Sequence, residues 1–288
     1  MTTTPARPQV ERLQLGDVPR VVAALESDFG RLGEGLWDPR HHYLLDALDR
    51  GEHSRFVVIG GDRPMAVAHL GLTGTVIPAG DPAVVGLMAP FVERARWRIL
   101  IGDEAITRAL LDETGISWWR RRPSVRIQRF MTSDTTPSEL QVTPTEGFRR
   151  AWRPDLDHLE EFACHLHVED RMGPPLVDPA RQGVRHRMAE SVDRGMTWVV
   201  QRDGRPVGKV DLSLHSIVRG AQIAGVYVDR SYRGQGIATG MIATLTAQLQ
   251  QRGLPVVSLH VRDDNTPAIG AYRRAGFVER GRWVLALR

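Results

Sequence analysis

The heptad Tyr232-Arg233-Gly234-Gln235-Gly236-Ile237-Ala238 separates two segments of different periodicity. Before it, Ile223 to Val228 is an apolar run that reads as a buried strand. After it, Ile237, Met241, Ile242, Leu245 and Leu249 recur at helical spacing. The pattern predicts strand, glycine-rich turn, helix. At such a junction the first helical N–H groups have no intrahelical acceptor and lie at the positive end of the dipole. Gly234 and Gly236 carry no Cβ, so phosphate oxygens can approach these N–H groups, and Arg233 adds a positive charge. The expected object is a pyrophosphate cradle. Neither the dinucleotide pattern G-x-G-x-x-G nor the triphosphate loop G-x-x-x-x-G-K-[ST] is matched there.

Arg233, Gly236 and Ala238 match R-x-x-G-x-A, which resembles the acyl-CoA pyrophosphate loop of the GNAT acetyltransferase superfamily. The stretch Pro255 to Phe277 looks like the second half of that motif pair, N-x-x-A-x-x-x-Y-x-x-x-G-F, at Asn265, Ala268, Tyr272, Gly276 and Phe277. From Phe148 onward the expected order is β-α-α-β-β-β-α-β-α-β-β, with a final hairpin through Phe277 to Leu287, and it is similar to the whole GNAT fold. The expected class is α/β (α+β): a C-terminal GNAT fold with a mixed central sheet behind a smaller α/β domain. PVVSLHV, AYRRAGF and the N-terminal LGEGLWD (residues 32–38) resemble a bacterial group of that organisation. In that group the leading domain often looks like a degraded GNAT copy.

The resemblance implies acetyl-CoA as co-substrate and direct acyl transfer to an amine. The implied cofactor residues are Val226, Tyr227 and Val228, whose backbone bonds pantetheine as an added strand, the loop Arg233, Gly234, Gln235, Gly236, Ile237 and Ala238, and Asn265. Gly225 is a candidate bulge that splays the strand. Val226 and Val228 are equally readable as core, and Asn265 as the cap of the helix from Thr266; neither pair of roles is exclusive. Tyr272 aligns with the family tyrosine that protonates the departing sulfur, a role open to a hydroxyl with a pKa of about 10. His260 stands where some members carry a glutamate and has two open readings, proton acceptor or structural hydrogen bond at the cleft edge. Gln222, near another family glutamate position, is no base.

The chain has 288 residues, 42% apolar and 25% charged, enough for two domains with separate cores. The expected division is an N-terminal α/β domain at 1–131, a Thr/Ser/Pro-rich linker at 132–147 and the GNAT domain at 148–288. In the first half, helices are expected over Asp17 to Phe29, Arg40 to Asp49, Pro82 to Arg94 and Asp103 to Thr114. Strands are expected over Arg55 to Ile59, Met65 to Thr73, Arg98 to Ile101 and Ser124 to Met131. No R-x-x-G-x-[GA] precedes the linker, so a second acyl-CoA site is not expected there. The N-terminal domain reads as structural or substrate-shaping.

Net charge is +4, and Lys209 is the only lysine. The basic cluster at 118–129 reads as packed tryptophans and solvated arginines, so no nucleic-acid partner is expected. No apolar run reaches the roughly 18 residues of a membrane span, and the first residues lack the apolar core of a signal peptide. With one cysteine, Cys164, the expected place is the reducing cytoplasm. His165 and His167 are two apart on an expected helix, His41-His42 lack chelating spacing, and no metal is expected. Glu160, Glu161, Glu169 and Asp170 read as a solvated helix face, with attraction of a cationic amine as the alternative. The acceptor is expected to be a small-molecule or peptide amine. Two further readings stand beside this one: a mycothiol-synthase-like tandem enzyme acylating an amino sugar conjugate, and a non-catalytic acyl-CoA sensor.

Overall fold

The computed structural model describes residues 8–28, 39–61, 63–114, 123–133 and 145–288. LGEGLWD, Asp62, the 118–122 part of the basic cluster and residues 134–144 of the expected linker lie outside them. The chain divides into two compact units, Met1–Phe130 with Gly281–Arg288, and Met131–Arg280.

In the first unit the elements are β1 (Val10–Arg12), α1 (Val18–Ala23), α2 (His42–Asp49), β2 (Phe56–Ile59), β3 (Ala66–Leu70), β4 (Thr75–Gly80), α3 (Pro82–Val85), α4 (Ala89–Arg94), β5 (Ile99–Asp103), α5 (Glu104–Glu113) and β6 (Ser124–Ser133), the last running on into the second unit. Strands β1 to β4 are antiparallel neighbours, and β4 runs parallel to β5. The returning C-terminal segment pairs antiparallel with β5, from Trp283 opposite Asp103 to Leu287 opposite Ile99. Successive strand residues point to opposite faces. Val57, Ile59 and Ala68 therefore pack with Val85, Met88, Ile106 and Leu110, whereas Phe56, Val58 and Val67 pack with Val21, Leu25, Leu44 and Leu45.

Gly60-Gly61-Asp62, between the strands expected at Arg55 to Ile59 and Met65 to Thr73, is a hairpin signal in the sequence, and those strands are paired antiparallel with Ile59 opposite Ala66. Strand β4 is a correction, because the sequence reading ended one strand at Thr73 and passed to a helix at Pro82. The chain instead reverses at Gly74, whose φ of 80° suits glycine, and Gly71 N–H bonds the Thr75 carbonyl at 2.7 Å. Pro78 masked the strand in the sequence, since proline removes a ladder donor; it sits opposite Ala68.

The second unit contains β7 (Phe148–Arg150), α6 (Leu156–Glu169), α7 (Ala180–Asp193), β8 (Thr197–Arg202), β9 (Arg205–Ser216), β10 (Gly220–Val228), α8 (Ile237–Gln251), β11 (Val257–Arg262), α9 (Thr266–Arg274) and the start of β12 (Phe277–Leu287). Strands β7 to β10 are antiparallel neighbours in chain order, and β10 runs parallel to β11. One face packs Val210, Leu212, Ile223 and Leu259 against Met241, Ile242, Leu245 and Tyr272. The other packs Val199 with Leu159 and Val192.

Two local expectations are corrected here. The sequence places a helix over Asp155 to Val168 with Asp155 as its cap, but Asp155 does not cap α6 with its side chain. Its carboxylate accepts two hydrogen bonds from Arg149, at 2.7 and 2.8 Å, and one from the Trp152 N–H at 3.0 Å. The final hairpin is a single strand, β12, continuous through Gly281. Arg280-Gly281-Arg282 supplied a turn residue without the second special residue or the positive φ that a two-residue hairpin turn requires.

Both units follow one element order: strand, two helices, three strands, helical segment, strand, helix, strand. In each, the fourth and fifth strands are the parallel pair. The first unit is thus a second copy of the fold.

Candidate active site

The site-bearing strand is β10. It is paired with β11 only from Ala221 opposite Val257 to Ile223 opposite Leu259. On its other side it stays paired with β9, from Tyr227 opposite Lys209 to Val228 opposite Gly208. Between Ala224, opposite Asp211, and Tyr227 the register slips by one residue at a bulge. Gly225 occupies it with φ of 55°. An extra residue bends the bulged strand. The two parallel strands are therefore joined at one end and unpaired at the other, leaving the backbone of Val226–Val228 without a β11 partner.

Strand β10 runs into the loop. Asp229 stops it, its carboxylate accepting from the Ser231 N–H at 2.9 Å, an interaction that holds its carboxyl below the usual range. Gly234 and Gly236 have φ of 78° and 77°, conformations that side chains avoid. Gly236 is the N-cap of α8, and no acidic residue occupies the first turn of that helix. A Cβ at either glycine would project into open space. The outward N–H groups of Ile237 and Ala238, the absence of a competing carboxylate in that turn and this open approach all fit a pyrophosphate.

Arg233 behaves differently from the expectation. Its Nε donates to the Val228 carbonyl at 2.9 Å and its Nη2 to both oxygens of Glu169, at 2.8 and 3.0 Å. The guanidinium lies 5.3 Å from the centroid of the Tyr227 ring. Arg230 donates to the same Glu169 at 3.1 Å. Glu160 is likewise held by Arg181 and Arg185 from α7, which keep its carboxyl low. Glu160 and Glu169 are thus committed to arginines of the protein, and Glu161 is exposed.

Tyr227 turns its ring towards α6, 5.1 Å from Phe162 between centroids, with its hydroxyl 3.1 Å from His165 Nδ1. On α9, the Asn265 side chain accepts from the Ala268 N–H at 3.3 Å, so it does cap that helix. Tyr272 is 7% exposed within the core that includes Phe277. Burial, followed by the charge of Asp170, pushes its hydroxyl well above the ordinary tyrosine range, so the group keeps its proton. His260 is half-buried on β11, one residue beyond the last residue paired with β10. Cys164 is buried and its thiol is pushed up by that burial. Among the described residues no cluster of His, Cys, Asp or Glu could hold a metal ion, and no helix is long and apolar enough to cross a membrane.

One pair escaped the sequence reading. Lys209 is 1% exposed in its side chain and ion-paired with Asp211, itself 14% exposed. Both sit on β9 directly across from the bulge of β10. The signal was present: the chain's only lysine falls between Val207 and Val210, two residues before an aspartate, and so on the same strand face.

Comparison with known proteins follows this geometry. The Acetyltransferase (GNAT) family model matches residues 157–277. A mycothiol acetyltransferase of Catenulispora acidiphila is 26% identical over an alignment of 236 residues that covers 74% of this chain and 71% of that protein. Against three other mycothiol acetyltransferases the matched region is 54%, 64% and 57% of the relative's length. Among solved structures, a GCN5-related N-acetyltransferase from Sphaerobacter thermophilus aligns with a TM-score of 0.60 at 19% identity, covering 99% of this chain and 96% of that one. A tandem GNAT protein from the clavulanic acid biosynthesis pathway aligns at 0.55 and 15% identity, covering 97% and 98%. At those identities the likeness establishes the fold.

Fold, loop and family match define the second unit as an acetyltransferase domain of the GNAT family. The chain as a whole has the two-copy architecture found in tandem members of that family.

Proposed function

We propose that the protein transfers an acetyl group from acetyl-CoA directly to the amine of a small-molecule acceptor. The observation that carries this reading is the succession along the chain of a strand unpaired with β11 beyond Ile223, a short glycine loop, and a helix N-terminus with no acidic residue in its first turn. In this reading the N–H groups of Gln235 to Ala238 hold the pyrophosphate and Val226–Val228 bond the pantetheine as an added strand. The acyl group then lies at the Gly225 bulge. Tyr272 donates its proton to the departing sulfur, and the half-buried His260 at the open end of the cleft keeps its two readings, proton acceptor or structural hydrogen bond, the second of which leaves the acceptor role to another residue. Residues 148–288 are the catalytic domain, 132–147 the connection to it, and 1–131 a structural or substrate-shaping domain. A reducing cytoplasm suits the single buried thiol of Cys164.

The relatives named mycothiol acetyltransferase favour an acceptor in which the amine belongs to an amino sugar conjugate. Calorimetric titration with acetyl-CoA, then mass spectrometry of an amine panel that includes an amino sugar conjugate, tests the proposal. Micromolar binding with acetylation of that conjugate is the expected outcome. Binding without transfer to any amine would favour an acyl-CoA sensor, and no binding would remove the cradle assignment.

A further inference from the structure

We infer that Asp211 is the proton acceptor for the incoming amine, held in place by the buried ammonium of Lys209 and the hydroxyl of Thr197. The inference rests on the acetyltransferase reading above and adds a catalytic residue to it.

Four observations lead there. First, the location follows from the direction of β10. With the pyrophosphate at the Gly234–Ala238 loop and pantetheine along Val228 to Val226, the acyl end falls at Gly225. A Cβ at Gly225 would run into the Asp211 carboxylate and come within 2.9 Å of Lys209 Nζ. The pair thus lies directly against the bulge. Second, the two partners differ in access: Lys209 is 1% exposed and Asp211 14%. Lys209 lies opposite Val199 and Tyr227 on the neighbouring strands and is closed off from solvent, while the carboxylate keeps an open edge. A reacting group needs that edge; a positioning group does not.

Third, the carboxylate is fixed at both oxygens. Lys209 holds Oδ2, and Thr197 Oγ1 donates to Oδ1 at 3.0 Å, with Ser191 Oγ 2.8 Å behind it. Such a chain of partners sets the orientation of the acceptor lone pairs before a substrate arrives. Fourth, Asp211 is the β9 residue opposite Ala224, the last paired residue of β10 before the bulge.

The step balances as follows. The acceptor enters as an ammonium and gives one proton to the Asp211 carboxylate. The freed nitrogen lone pair forms the C–N bond to the acetyl carbon as the C–S bond breaks. The Tyr272 hydroxyl protonates the departing thiolate, and the phenolate recovers a proton from the new amide nitrogen. Asp211 then releases its proton to solvent, giving amide, CoA thiol and one proton. Lys209 and Thr197 touch neither reactant and are positioning residues.

Three variants test this: Asp211→Glu, Asp211→Asn, and the pair Lys209→Met with Asp211→Asn, which removes both charges and leaves no unpaired ammonium. Each is checked by melting and by acetyl-CoA titration, then assayed on the amine that the panel identifies. The expected result is a loss of turnover on the order of 10² to 10⁴ in both Asn variants. Acetyl-CoA affinity should be kept, with partial rescue by Glu. Raising the pH should restore Asn-variant rates in proportion to the fraction of acceptor already deprotonated, which a merely structural pair would not produce. Wild-type turnover in the folded double variant would overturn the role of Asp211 while leaving the acetyltransferase reading intact. A wild-type protein that binds acetyl-CoA but acetylates no amine would overturn both.

Discussion

Glu169 at the end of α6 grips Arg233 of the glycine loop through both carboxylate oxygens, at 2.8 and 3.0 Å. The contact closes the cationic group nearest the cradle with an anion from the protein itself. Arg230 shares the same carboxylate, and Arg262 donates to the Glu169 carbonyl. Phosphate would compete with Glu169 for these guanidinium groups, and a carboxylate beside the cradle opposes a phosphate anion by charge.

Glu169→Gln is therefore expected to raise acetyl-CoA affinity several-fold at low salt. Because the pair is partly exposed, with side chains 43% and 26% accessible, its loss should cost at most about 1 kcal/mol of stability. The gain should shrink at about 0.5 M salt, where screening weakens exposed charges. Calorimetry at two ionic strengths decides it, and weaker binding in the variant would mean that Glu169 supports the loop more than it opposes the ligand.

Tyr272→Phe is expected to lower turnover by about 10² to 10⁴ while acetyl-CoA affinity changes less than twofold. Among the described residues no hydrogen bond engages the Tyr272 hydroxyl, so its removal should alter stability by less than about 1 kcal/mol. Since burial and Asp170 push the group upward, Tyr272 should not produce an alkaline fall in rate below the ordinary tyrosine value of about 10. A rate that drops near pH 9 in wild type and is flat in the variant would contradict this.

The strand-loop-helix around Gly236 was legible because three local signals agree there: an apolar run, two glycines that require positive φ, and an apolar helical stripe. Helix α9 was equally plain, with Asn265 as its cap. Strand β4 was hidden because Pro78 argues against a strand, and only its pairing with β3 and β5 overrides that local preference. The exchange of Asp155 from helix cap to Arg149 partner depends on how the turn between β7 and α6 folds residues six apart onto each other, which periodicity does not read. Lys209 and Asp211 were visible as residues, but their meaning depends on the register of β9 against the β10 bulge. Register is a long-range property.

Acid should weaken the second unit in part through Asp155. Burial alone would raise its carboxyl, but hydrogen bonds from Arg149 and the Trp152 N–H outweigh it and leave the folded value depressed. A depressed folded pKa means that the unfolded chain binds the proton more tightly. The stabilisation is thus complete above the unfolded value of about 3.9 and is lost as pH falls from there through the lower folded value. Asp155→Asn should cost about 2 kcal/mol at pH 7, and its difference from wild type should narrow as pH approaches 3. Urea melts at pH 7, 5 and 3.5 measure this. A difference independent of pH would assign the effect to packing.

The two copies of the fold should differ in cofactor binding, because the corresponding helix of the first unit starts differently. After β4 the chain enters α3 through Asp81, whose carboxylate accepts the Ala83 N–H at 2.8 Å. Pro82 follows at the first helical position and has no N–H to offer. One outward donor is thus taken by an anion and another is missing, where α8 has two glycines and no acid. A pyrophosphate would meet the Asp81 charge in place of a ring of N–H groups. Titration should give one acetyl-CoA per chain, and Gly236→Ala in the second unit should weaken its binding at least about tenfold: alanine must adopt φ near 77°, at about 1–2 kcal/mol, and its methyl enters the open space left for the pyrophosphate. Stoichiometric binding of unchanged affinity in that variant would show that the first unit holds a cofactor despite Asp81.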